Sequence, residues 1–155
     1  MLEKPALVIR RGLPDWRIFD PDSGEMLGVA RPRRTAGLVG IGWLGRSSVT
    51  VFEAGDEPLV MTVRRLWGFS RRWEVCDADD HRIAILHRES ISDPSGYVWA
   101  FVEAANDEIR FRGTDREFAH GRKTAEAIHL KFGPEIQSNP LTKMSVLGAV
   151  LIRAE

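Results

Sequence analysis

The sequence has little that would indicate a secreted or highly charged protein. Cys76 is the only cysteine, so no internal disulfide can form, which favours a reducing compartment. The 22 lysines and arginines balance the 22 aspartates and glutamates. The chain as a whole therefore has no net attraction for nucleic acid or for an acidic membrane. Any site for an anion must be local.

Motifs for catalysis and for metal binding are also missing. The sequence contains no nucleophile elbow, no Walker loop and no GxGxxG. Neither HExxH nor paired-cysteine spacing occurs around the histidines, which are His81, His87, His120 and His129. The acidic cluster of Asp77, Asp79 and Asp80 is typical of a solvated turn. We therefore expect no enzymatic activity, no metal site and no cofactor.

The apolar segments are short. The start, MLEKPALVIRRG, has too brief an apolar run to be a secretory signal. The apolar run near the C-terminus is about half of the roughly 20 residues that a membrane span needs. The length of 155 residues suits one domain. We expect a single domain over 1–155, located in the cytoplasm with or without peripheral contact to a membrane.

A repeated hairpin pattern organises the middle of the chain. Aromatic or β-branched residues alternate before each of four acidic residues, Asp20, Glu53, Asp77 and Glu103. A segment rich in Asp, Asn, Gly or Pro follows each, and a second apolar strand begins at Met26, Leu59, Ile83 and Ile109. This pattern predicts four β-hairpins. With further strands at either end, an antiparallel sheet of ten to twelve strands should curl and close.

The C-terminal segment predicts a helix from about Pro140 to Arg153. Asn139 is a good N-cap, and proline suits the first turn. From Met144 to Ile152 the apolar residues leave hardly any polar face. A helix that is apolar on all sides requires burial. We therefore expect it in the interior of the barrel.

The motif KMSVLGAVLI at 143–152 resembles the C-terminal helix of phospholipid scramblase-like and LURP-one-related proteins, relatives of the tubby C-terminal domain. The segments WRIFDPDSGEMLGVARPRR and RRWEVCDADDHRIAILHRE are similar to the hairpins of that family. The resemblance implies a closed barrel of about twelve strands around a central apolar helix. The likeness covers about residues 15–152.

The sequence departs from the animal scramblases in two ways. It has no proline-rich N-terminal region and no cysteine-rich palmitoylation segment, so the resemblance implies no membrane anchor. Before the helix, KFGPEIQSNPLTK contains Glu135 as its only carboxylate. Calcium prefers six to eight oxygen ligands, often from several carboxylates. We expect no high-affinity calcium site there.

Arginines are the most informative surface feature. Residues 31–72 contain eight arginines and three carboxylates. The candidate lipid-headgroup ligands are Arg31, Arg33, Arg34, Arg64, Arg65, Arg71 and Arg72, because arginine forks suit phosphate oxygens. Trp67 and Phe69 lie between two arginine pairs and are candidates for the membrane interface. A solvated charged loop is the simpler interpretation of the same residues.

Three functional hypotheses stay open. The resemblance and the arginines favour a non-enzymatic module that associates with acidic phospholipid or phosphoinositide headgroups. The alternative is a soluble protein-interaction or stress-related scaffold domain without lipid function. A third option is a carrier for a small apolar ligand, although the helix should fill the barrel interior. Nucleic acid is an unlikely partner for a chain with balanced charge.

Overall fold

A computed structural model describes residues 1–34, 47–55, 58–66 and 71–154. Within these ranges, twelve strands and one α-helix follow one another. The strands are β1 (Ala6–Arg11), β2 (Trp16–Phe19), β3 (Met26–Arg34), β4 (Ser47–Glu53), β5 (Leu59–Arg65), β6 (Trp73–Asp77), β7 (Arg82–Leu86), β8 (Ser90–Ser92), β9 (Val98–Ala105), β10 (Glu108–Arg112), β11 (Glu117–Lys123) and β12 (Ala127–Phe132). A short 3₁₀ turn (Pro134–Ile136) leads to α1 (Pro140–Ala154).

The sheet is a closed antiparallel barrel. Each strand pairs with its neighbour in sequence, and β1 pairs with β12 to complete the ring. The four predicted hairpins are β2–β3, β4–β5, β6–β7 and β9–β10. In the first three, the register shifts one or two residues before the acidic residue of the repeat. Such bulges bend and twist strands, which helps a sheet to close.

Helix α1 lies inside the barrel, which confirms the prediction. Seven successive residues, from Ser145 to Leu151, are buried, so every face of the helix meets the sheet. At Gly148, an added Cβ would come within 3.0 Å of Val63 and 3.2 Å of Val75. The absence of a side chain at Gly148 therefore lets β5 and β6 approach the helix backbone.

Polar contacts fix the N-terminal end of the helix. Asn139 accepts a hydrogen bond from the Thr142 backbone, 3.1 Å away, and is therefore the expected cap. Lys143 is fully buried and donates to the carbonyl oxygens of Leu2 and Lys4, at 2.7 and 3.0 Å. Burial lowers the pKa of this ammonium group. Its two hydrogen bonds attach the N-terminal segment to the helix.

Candidate functional site: the basic end of the barrel

The up-and-down topology sorts the connections between strands into two groups. Connections that follow odd-numbered strands lie at one end of the barrel, together with the C-terminus of α1. At that end, Arg153 donates to the backbone carbonyls of Ala149, His87 and Arg88. Connections that follow even-numbered strands lie at the other end, with the N-terminal segment and the start of α1.

The first end is basic. We define the basic end as the described connections after odd-numbered strands, the two strand residues on either side of each, and the last turn of α1. Its cationic residues are Arg10, Arg11, Arg17, Arg33, Arg34, Arg64, Arg65, Arg71, Arg72, Arg88, Arg122, Lys123 and Arg153. Its carboxylates are Asp15, Glu74, Glu89, Asp107, Glu108 and Glu126. Cations therefore outnumber carboxylates by about two to one at this end.

The opposite end is acidic. Its carboxylates, counted over the equivalent positions, are Glu3, Asp20, Asp22, Glu25, Glu53, Asp77, Asp79, Asp80, Asp93, Asp115, Glu117 and Glu135. Its cationic residues are Lys4, Arg82, Arg112, Arg116, Lys131 and the buried Lys143. The neutral chain thus has opposite charge at its two ends. The dipole of α1 is oriented favourably with respect to this charge distribution. Its N-terminus, which is the positive end of a helix dipole, lies at the acidic end of the barrel.

The predicted arginines lie at or beside the basic end, but their environments differ. Arg33 and Arg71 are exposed, and Arg65 is half-buried. None of these three has an ion-pair partner among the residues that the structure describes. They keep their charge available for an external anion.

Arg31 and Arg64 are already engaged. Arg31 lies on β3 just below the basic end, with its Nε 3.5 Å from Asp15 and its guanidinium 5.0 Å from the centre of the Phe52 ring. Arg64 bonds to the buried Glu74, and this carboxylate raises the pKa of the guanidinium. The sequence could not distinguish engaged arginines from available ones, because their partners lie on other strands.

Four predicted residues add less to the site. Arg72 is exposed and engaged in an interaction of its own. For Arg34 only the backbone is described. Trp67 and Phe69 lie outside the described residues, so their assignment to a membrane interface stays a prediction.

A second group of cations, on β1, β2 and β11, was not predicted from the sequence. Arg10 and Arg17 are direct cross-strand neighbours, and both are exposed. Like charges opposite each other in a sheet are destabilising. The Arg10 guanidinium lies 5.0 Å from the centre of the Phe19 ring, while Arg122 is exposed at the end of β11. Arg10 and Arg17 reach this end because β2 pairs with both β1 and β3, and closure of the barrel brings the end of β11, with Arg122, to the same side of β1.

The acidic end contains a cavity of about 650 Å³ beside the first turns of α1. Leu2, Val60 and Met144 are among its apolar lining residues, and Glu53 and Asp77 among its carboxylates. The nearby ligand atoms of Asp77, Asp79 and His81 lie within 4.8 Å of one another. Asp77 Oδ1 accepts hydrogen bonds from the backbone of both of the other two. These bonds are those of the turn that the sequence predicts.

No helix within the described ranges is both long enough and apolar enough to cross a bilayer. Comparison of the chain with protein-family models, with curated proteins and with solved structures found no match.

Proposed function

We propose that this protein is a non-enzymatic module that associates peripherally with membranes containing acidic phospholipids or phosphoinositides. The basic end of the barrel is the contact surface, and it faces the bilayer. The unequal distribution of charge between the two ends carries the proposal. Acidic leaflets attract cationic side chains by about 1 kcal/mol each near the surface. They also repel the acidic end, so one orientation is favoured.

Arginines that are available to bind an external anion support the proposed membrane contact. Arg33, Arg65 and Arg71 have no ion-pair partner among described residues, and Arg10 stands directly opposite Arg17. A phosphate oxygen between two such guanidinium groups would remove their repulsion. The resemblance of KMSVLGAVLI and of the hairpins to scramblase-like and tubby-like proteins supports the same class of ligand.

Vesicle flotation tests the proposal. The parent protein should float with vesicles of phosphatidylcholine that contain about a fifth phosphatidylserine or a few per cent phosphoinositide, and should stay behind with phosphatidylcholine alone. Replacement of Arg33, Arg65 and Arg71 by Gln should weaken binding about 100-fold, from about 1 kcal/mol per residue. Equal binding of parent and triple variant, or no binding of the parent, would refute it.

One observation favours a second candidate, a protein-interaction domain. Tyr97 and Phe101 are 70% and 56% exposed around the start of β9. Exposed aromatic side chains are enriched at protein interfaces. Recovery of a stable protein partner that is lost on replacement of Phe101 by Ser, together with no vesicle binding, would favour this candidate.

A further inference from the structure

The connection between β1 and β2 presents an isolated apolar tip at the basic end. Leu13 is 98% exposed, the highest value among the exposed large apolar residues that the structure describes. Pro14, which follows it, is also exposed. A leucine with almost no contact to its own chain gains nothing from folding. Another molecule has to supply any burial of this side chain.

Cations surround this tip. Arg10 and Arg11 precede it and Arg17 follows it, so three guanidinium groups lie within four residues of Leu13. Arg11 and Arg10 lie over the Trp16 and Phe19 rings, at 5.7 and 5.0 Å. Such stacking keeps the aliphatic stems against the barrel. An apolar tip with these three arginines behind it matches the order of layers in a bilayer, where charged headgroups lie outside and acyl chains lie inside.

The tip is also preformed. The Gly12 backbone donates to Asp15 O at 2.7 Å, which closes the connection at its base. A Cβ at Gly12 would lie 2.6 Å from the same oxygen, so only glycine allows this closure. Asp15 contacts Arg31, which ties the base of the connection to β3. Insertion would therefore require little ordering of the backbone.

We infer that Leu13 inserts into the acyl boundary of an acidic bilayer while Arg10, Arg11 and Arg17 contact its phosphates. This inference rests on the proposed function and assigns the element that enters the membrane. An acidic protein surface would satisfy the arginines. It would supply no apolar phase for a single leucine that projects beyond them, and for this reason the bilayer is favoured.

An environment-sensitive fluorophore at position 13 tests the inference. Cys76 is buried, and Leu13→Cys in a Cys76→Ser background gives one exposed thiol for labelling. With phosphatidylcholine/phosphatidylserine vesicles, its emission should shift to the blue and be quenched by lipids that carry nitroxide on the upper acyl chain. The matched control is Leu141→Cys at the acidic end, where Leu141 is 48% exposed. The label at position 141 should remain in water.

Binding affinity gives a second readout. Leu13→Ser should weaken vesicle binding about tenfold, since burial of a leucine is worth about one decade or more in affinity and this change leaves the charge beside the arginines unaltered. Leu141→Ser should leave it unchanged. If the parent binds vesicles but position 13 stays aqueous, only the insertion is wrong. If the parent does not bind vesicles, the proposed function fails as well. A shift with soluble polyglutamate alone would assign the surface to an acidic protein instead.

Discussion

Arg64 on β5 bonds to Glu74 on β6, with Nε 2.5 Å from the carboxylate. Glu74 is 6% exposed although it lies on the outer face of the barrel, and it also accepts a hydrogen bond from Arg82 at 2.6 Å. A buried carboxylate needs such partners. Arg64 is therefore a structural cation, whereas Arg33, in the same cross-strand row, is exposed and available to an anion.

Removal of these two arginines should affect the stability of the fold to different extents. Arg64→Ala should lower the free energy of unfolding by about 1–3 kcal/mol, because it deprives a buried carboxylate of one donor. Arg33→Ala should change it by less than about 0.5 kcal/mol, as is usual for exposed positions. Urea unfolding at neutral pH measures both. Equal stability of the two variants would show that Glu74 is satisfied without Arg64.

The interior position of α1 makes Leu147 the most sensitive residue of the helix. Leu147 is fully buried, so Leu147→Asp should place an unpaired carboxylate among apolar groups and cost about 5 kcal/mol or more, close to the stability of a whole domain. The variant should not fold. Leu141→Asp is the control on the same helix. A melting temperature of Leu147→Asp within about 2 °C of the parent would mean that the helix is peripheral.

The pair of Lys4 and Asp20 should produce part of the acid sensitivity of the fold. The hydrogen bond from Lys4, at 2.7 Å, lowers the pKa of Asp20. A lowered pKa in the folded state contributes stability above the ordinary aspartate value of about 3.9. That contribution is lost as pH falls from there through the folded pKa. The stability difference between parent and Asp20→Asn should therefore shrink over this acidic window in pH-dependent unfolding. A constant difference would exclude the ion pair as its cause.

The fold was largely predictable from the sequence because barrel hairpins and the central helix carry local signals. Alternating residues such as Trp16 and Ile18, and an acidic turn at Asp20, mark a hairpin without knowledge of its neighbours. The helix around Leu147 is apolar on all sides, which points to an interior position. Both signals lie within short segments, and the structure confirms both.

The candidate site was predictable only in part. The arginines of 31–72 are close in sequence, whereas Arg10 and Arg17 join them through the pairing of β2 with β3, and Arg122 through the pairing of β1 with β12 and of β12 with β11. Leu13 gave no signal, since one leucine in a turn has no periodicity. The opposite charge of the two ends depends on which connections lie at which end of the barrel. Strand direction decides this, and the amino-acid composition gives no information about it.

Ionic strength should reveal whether charge dominates binding to vesicles. Screening shortens the Debye length from about 10 Å at 0.1 M salt to about 3 Å at 1 M. Binding of the parent to phosphatidylserine vesicles should weaken steeply over this range, while the uncharged variant Leu13→Ser should show a similar slope at lower affinity. Sedimentation of vesicles at a series of salt concentrations gives both slopes. Binding that is independent of salt would contradict an electrostatic contact.

The proposed function requires that one end of the neutral barrel faces the membrane. Two double variants with the same net charge test it most directly: Arg33→Glu with Arg122→Glu at the basic end, and Arg116→Glu with Lys131→Glu at the acidic end. All four residues are exposed. Each variant is compared with the parent by equilibrium binding to the same phosphatidylserine vesicles. The basic-end variant should lose about 100-fold or more in affinity and the acidic-end variant less than about threefold. Equal losses would mean that the vesicles respond to net charge alone, which would contradict an oriented basic end.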